Sequence, residues 1–152
     1  MLSKIYRKIN EHIEHKYDDI VVSLSGGVDS IVLLDTLIKL NYKNLHLVHF
    51  NYNVHSLSHQ AEKHIRQLAK DNELQIEVHK PTIFKKNFES NARKDRYKKL
   101  NRYAKINNCK IIFTAHHFDD QVETLIMKDL SYSDWLSYLG ICEMYNKIRR
   151  PM

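Results

Sequence analysis

The sequence predicts an α/β protein, a doubly wound, mainly parallel sheet with helices on both faces. Three observations carry that prediction. Apolar runs of strand length alternate with longer segments whose apolar residues recur every three to four positions. Two clusters of chemistry-bearing residues each begin where a strand-like run ends, the edge at which open parallel sheets hold ligands. Finally, 152 residues with 43% hydrophobic content suffice for one domain with its own core, so residues 1–152 are read as a single domain.

Residues 4–16 read as an amphipathic helix, because Ile5, Ile9 and Ile13 recur four apart. Asp18 and Asp19 break that pattern, and residues 20–24 (IVVSL) form a buried strand. After a glycine pair, residues 31–40 read as a helix that is apolar nearly all round. Residues 45–50 are a second strand, and 58–72 a helix with Ala61, Ile65, Leu68 and Ala69 inward. Residues 74–79 alternate as a third strand, 87–107 form a long basic helix, and 110–115 a fourth strand. A further helix begins near Asp119 with Val122, Leu125, Ile126 and Leu130 on one face. The tail, 131–152, is irregular or helical before a last short strand at 147–149.

Composition excludes several classes. No apolar run approaches the roughly 20 residues that span a bilayer, and the first residues lack the apolar core of a signal peptide. A cytoplasmic protein with no membrane partner is therefore expected. Cys109 and Cys142 are far apart and lack C-x-x-C spacing, which reads as two reduced structural thiols. The net charge is +6, from 24 basic and 18 acidic side chains, and it is unevenly placed. Ten Lys/Arg against two acidic residues fall between Lys80 and Lys105, leaving 14 and 16 elsewhere. Such a block is either a footprint for a polyanion or a solvated helix face.

The first chemical motif is Ser25-Gly26-Gly27-Val28-Asp29-Ser30, between a strand and a helix. Adjacent glycines allow a sharp turn that aims several N–H groups at one point, and the helix start behind them adds partial positive charge. A phosphate or pyrophosphate fits there. Ser25 and Ser30 can donate hydroxyl hydrogen bonds to it, and Asp29 demands a magnesium ion between itself and the phosphate. The bland alternative is a tight turn that caps a helix. The second motif runs from Thr114 to Thr124 (TAHHFDDQVET). Helical spacing clusters Asp119, Asp120 and Glu123, more acid at one strand end than a first turn requires. These carboxylates read as magnesium ligands along a pyrophosphate path.

The first motif resembles the S-G-G-x-D-S signature of the N-type ATP pyrophosphatases, and it lacks the G-K-[ST] ending of a Walker loop. The second resembles the A-H-H-x-D-D-Q-x-E-T signature of the tRNA(Ile)-lysidine synthetases. His49-Phe50-Asn51 resembles that family's H-x-N-H element. Residues 87–97 (NFESNARKDRY) resemble its N-x-E-x-x-A-R-x-x-R-Y element, and Arg150-Pro151 its R-P pair. The resemblance implies an adenine nucleotide alpha hydrolase-like fold and an ATP-dependent ligase. That ligase adenylates the first anticodon cytidine of tRNA(Ile), then joins free lysine to form lysidine, releasing pyrophosphate and AMP. It implies ATP contacts from Ser25, Gly26, Gly27, Val28, Asp29, Ser30, Phe50, Asn51 and His116, and magnesium at Asp29, Asp120 and Glu123. Asp29, Arg93, Arg96 and Glu123 would be catalytic, and Lys94, Lys98, Lys99 and Arg102 would guide RNA.

Tyr52 stands where the family has the second His of H-x-N-H, and residues 131–135 replace a glycine-containing loop. The family continues beyond the R-P pair into tRNA-binding domains. The expectation is accordingly a minimal or truncated member, with self-association or a partner chain as the source of the remainder. The alternatives are a related tRNA thiolation enzyme, which the isolated cysteines disfavour, and a non-catalytic ATP- or RNA-binding module.

Overall fold

Strand β1 (Ile20–Leu24) lies at the centre of the sheet, with β2 (Leu45–Phe50) on one side and β4 (Ile111–Thr114) on the other, both parallel to it. The computed structural model describes residues 2–53, 56–80, 88–115, 144–145 and 147–151. The remaining elements there are α1 (Leu2–His12), α2 (Val28–Lys39), α3 (Ser58–Asp71), β3 (Gln75–His79), α4 (Phe88–Ile106), β5 (Met144–Tyr145) and β6 (Ile148–Arg149). The strand order is β3-β2-β1-β4-β6-β5, all parallel except β5, which runs antiparallel to β6 at the edge. The predicted doubly wound, mainly parallel sheet is the fold observed.

The two faces follow from the two-residue period of a strand. Ile20, Val22 and Leu24 point the same way as Leu45, Leu47, Ile111 and Phe113, and pack against α1, α2 and α3. Val21, Val48 and Ile112 point the other way and meet Leu100 and Ala104 of α4. The chain therefore winds outward from β1 through α2 and α3 on one face, then crosses on the opposite face through α4. The strand order reverses between β1 and β4, and at such a switch point the loops diverge and leave a crevice.

Two helix boundaries differ from the sequence reading by three residues or more. Helix α1 stops at His12 because Asp18 turns the chain, accepting from the His15 N–H while its own N–H donates to the His15 carbonyl. Ile13 nevertheless stays buried. Helix α2 starts three residues early, since Gly27 adopts the extended cap conformation and its carbonyl accepts from Ile31 N–H. Strand β5 has no counterpart in the sequence reading.

Helices α2, α3 and α4 end alike. Asn41, Glu73 and Asn108 take left-handed conformations (φ 64°, 55° and 54°). The next N–H bonds back five residues, Tyr42 to Leu37, Leu74 to Ala69 and Cys109 to Ala104. These are Schellman closures, a role glycine usually fills. No described helix is long and apolar enough to cross a membrane. The expected helix near Asp119 lies outside the described residues.

Candidate functional site

The loop after β1 turns at Gly26, whose φ of +92° is a conformation L side chains rarely adopt. A Cβ there would also stand 3.1 Å from the Ala61 Cβ on α3. Gly26 thus both makes the turn and lets the loop lie on α3. The loop is internally bonded: Gly26 N–H donates to Ser30 Oγ (3.3 Å), Gly27 N–H to Ser25 Oγ (3.2 Å), and Ser30 Oγ to the Gly27 carbonyl (2.8 Å). Two N–H groups and two hydroxyls thus meet within one turn at the start of α2, where an oxyanion that displaced these internal bonds would find its donors.

Around this turn lies a cavity of about 330 Å³, at the β1/β4 switch point. Ser25, Gly27, Asp29 and Ser30 line it from the loop, Phe50 from the end of β2, and Arg96 from α4. Six of the residues expected from sequence thus come together. Asn51 lines an adjoining cavity of about 360 Å³ that shares Ser25 and Phe50. Val28 begins the helix with its side chain 72% exposed. Lys94, Lys98 and Arg102 are exposed on α4, while Lys99 pairs with Asp95 at 2.7 Å. His116, Asp120 and Glu123 lie outside the described residues, as does Cys142.

Tyr52, Thr114 and Ser23 also line the first cavity. Tyr52, at the family's second-His position, stacks on Phe50 (centroids 6.2 Å apart, planes 13°), and its hydroxyl donates to the Ala92 carbonyl at 3.0 Å. Burial raises its pKa, partly offset by the Arg96 charge. A phenol here ties the end of β2 to α4, a packing role no sequence pattern announces.

Behind Arg96 three guanidiniums surround one ring. Arg93, Arg96 and Arg150 lie 5.8, 5.7 and 5.9 Å from the centroid of Tyr97. Arg150, 7% exposed, also donates to the Tyr97 hydroxyl at 3.2 Å. Burial pushes that phenol up, but the Arg150 bond and the three positive charges outweigh it and hold the pKa below its ordinary value. Arg93 is thus held beside Arg96 on the Tyr97 ring, and is not among the residues lining the cavity.

A second support fixes the loop after β2. Asn51, 5% exposed, donates to Glu62 on α3 at 2.7 Å and accepts from the Asn53 N–H at 2.9 Å. Asn53 takes φ 51°. The hydrogen bond from Asn51, then those from Arg66, hold the Glu62 pKa below the usual carboxylate value. Asn51 is therefore already engaged as a brace.

The fold and the loop define a parallel α/β domain with a glycine turn, lined by serine hydroxyls and an aspartate, at its switch point. A family profile described as "PP-loop domain" (ATP_bind_3) matches residues 1–152, and the chain belongs to that family. It is similar to the tRNA(Ile)-lysidine synthase of Mycoplasma genitalium, at 34% identity over 140 residues, 87% of this chain and 47% of that protein. The namesake in Histophilus somni is 33% identical over 156 residues, 97% of this chain and 35% of that protein. The chain thus spans less than half the length of these relatives. Among solved structures it resembles the U34-tRNA thiolase NcsA from Methanococcus maripaludis, with a TM-score of 0.75 and 17% identity over 98% of this chain and 56% of that one. It also resembles the NH3-dependent NAD synthetase from Campylobacter jejuni, with a TM-score of 0.60 and 18% identity over 82% of this chain and 58% of that one. At those identities the likeness is one of fold.

Proposed function

We propose that this chain carries out the ATP-dependent step of a tRNA modification, with tRNA(Ile) and free lysine as substrates and lysidine as product. One observation carries the reading: a glycine turn at a helix start, an aspartate and an arginine line one cavity at the switch point. The sequence likeness to tRNA(Ile)-lysidine synthases supports the choice of reaction.

In this scheme the loop N–H groups and the Ser25 and Ser30 hydroxyls hold the β- and γ-phosphates of ATP. The C2 carbonyl oxygen of the anticodon cytidine attacks the α-phosphorus, and the bond to pyrophosphate breaks. The lysine amine then attacks C2, loses a proton, and AMP leaves. Such transfers ask mainly for alignment and charge neutralisation. Arg96, with Arg93 beside it, faces the charge that accumulates on the phosphoryl oxygens. One or two carboxylates together with substrate phosphates make a donor set that suits magnesium. Asp29 lines the cavity as such a carboxylate, and a magnesium ion held there would neutralise phosphate charge. The exposed Lys94, Lys98 and Arg102, with Lys99, are available to the RNA backbone, and a cytoplasmic setting goes with these substrates.

A related tRNA thiolation enzyme is the second reading. Cys109 does not serve it. It precedes β4, at the sheet edge opposite the cavity, and burial raises its thiol to about 11, far from the thiolate such chemistry needs.

The test is pyrophosphate release with ATP, lysine and a tRNA bearing a CAU anticodon. Asp29→Ala should keep the fold and abolish release; undiminished release would remove Asp29 from the mechanism. Equal lysine incorporation into a tRNA with a changed first anticodon base would refute the cytidine assignment.

A further inference from the structure

Beside the second of these cavities, and joined to it at Asn51, runs a larger groove of about 800 Å³ along α3. Its lining is cationic. Lys63, Arg66 and Lys70 follow one another at helical spacing, and Lys80, just beyond β3, also lines it. The acidic residue in that lining is Glu62, which is already engaged by Asn51 and Arg66. Elsewhere the helix cations are commonly matched by a carboxylate four residues away, as in Arg7–Glu11, Lys39–Asp35 and Lys99–Asp95. Lys63, Lys70 and Lys80 have no such partner among the described residues.

We propose that this groove holds the phosphodiester backbone of the RNA whose base enters the neighbouring site. The inference rests on the tRNA-modification reading and adds where the RNA lies. The seven helical steps from Lys63 to Lys70 cover about 10 Å of helix axis, long enough to meet successive phosphates. Lys80 supplies positive charge beyond that stripe. The shared wall at Asn51 keeps a strand held here next to the base-sized cavity. This surface differs from the α4 stripe of Lys94, Lys98 and Arg102, because α4 covers the opposite face of the sheet.

The experiment measures binding of a synthetic anticodon stem-loop RNA with a CAU anticodon across a salt series, with ATP affinity recorded in parallel. The variant is Lys63→Gln/Lys70→Gln/Lys80→Gln, all exposed positions whose neutralisation leaves the core untouched. Each phosphate neutralised on a single strand contributes about 0.7 to the slope of log affinity against log salt, so taking away three lysines makes it shallower by about 2. Between 50 and 200 mM salt the unsubstituted chain should then lose about 20-fold more affinity than the variant. ATP affinity should not change. An unaltered slope in the variant overturns the groove while leaving the modification reading intact. A matching fall in ATP affinity also overturns it, since the lysines would then belong to the nucleotide site. Polyglutamate competing as well as the RNA overturns RNA as the occupant. If the unsubstituted chain shows no salt-dependent RNA binding, the modification reading fails and the groove with it.

Discussion

Exchanging the two partners of the Asn51–Glu62 bond tests whether that pair braces the wall of the candidate nucleotide site. Asn51→Asp alone replaces the amide donor with a carboxylate facing the Glu62 carboxylate, at a position 5% exposed. A hydrogen bond to a charged group contributes about 1.5–3 kcal/mol, and two like charges about 4 Å apart add about 4 kcal/mol at an effective dielectric of 20. Protonation caps the sum, because neutralising one carboxylate at pH 7 costs about 3.7 kcal/mol for an ordinary glutamate. The single variant should therefore lose about 2–4 kcal/mol, or roughly 6–12 °C in Tm for a chain of this size. Adding Glu62→Gln restores the same bond with donor and acceptor exchanged, and the Asn53 N–H keeps its acceptor. The double variant should recover all but about 1 kcal/mol, the remainder reflecting the weaker Arg66 contact. The pH dependence has a definite sign. In the unsubstituted chain the Glu62 pKa is depressed, so its contribution is present above its ordinary 4.5 and fades as pH falls through the lower folded value. In Asn51→Asp the deficit should shrink on acidification, as one carboxylate protonates. Thermal unfolding and ATP titration read both effects. A double variant no more stable than Asn51→Asp alone would refute the brace.

Gly26→Ala should cost about 1–3 kcal/mol from its positive φ, more with the 3.1 Å approach to Ala61, and should weaken ATP binding. Gly27→Ala, at φ −76° and 3.4 Å from a serine hydroxyl, should keep the fold, and equal losses at the two positions by chemical denaturation would contradict the geometry. Glu73→Gly should stabilise by about 0.5–1 kcal/mol, relief of the left-handed strain exceeding the added entropy of the unfolded glycine. A lower denaturation midpoint would show that the Schellman closure of α3 is unstrained.

Much of the fold was legible because strand and helix periods speak locally. Residues 20–24 and 45–50 read as strands on pattern alone and are β1 and β2. The boundaries that moved were set by side chains acting across turns, as with Asp18 at the end of α1 and Gly27 at the start of α2. Strand β5 is two residues long and owes its existence to β6, so no local pattern marks it. In the site, the contiguous residues from Ser25 to Ser30 were legible as a unit. The contacts of Tyr52, Glu62 and Arg150 were not, because each acts through a neighbour distant in sequence. Glu62 lies eleven positions from Asn51, and Arg150 fifty-three from Tyr97.

The switch point also dictates an order of assembly. The pairing of Ile20 with Ile111 joins residues 91 apart in sequence, whereas β1 meets β2 across 25. Closing the longer loop carries the greater entropic penalty, and non-local pairings generally form late. The glycine turn can form with its local helix, but the wall opposite it arrives only when β4 docks. A nascent chain ending before β4 would carry the motif and lack the cavity. Hydrogen exchange at Ile112 and Phe113, followed against Val21 and Val22 during refolding, would time that event.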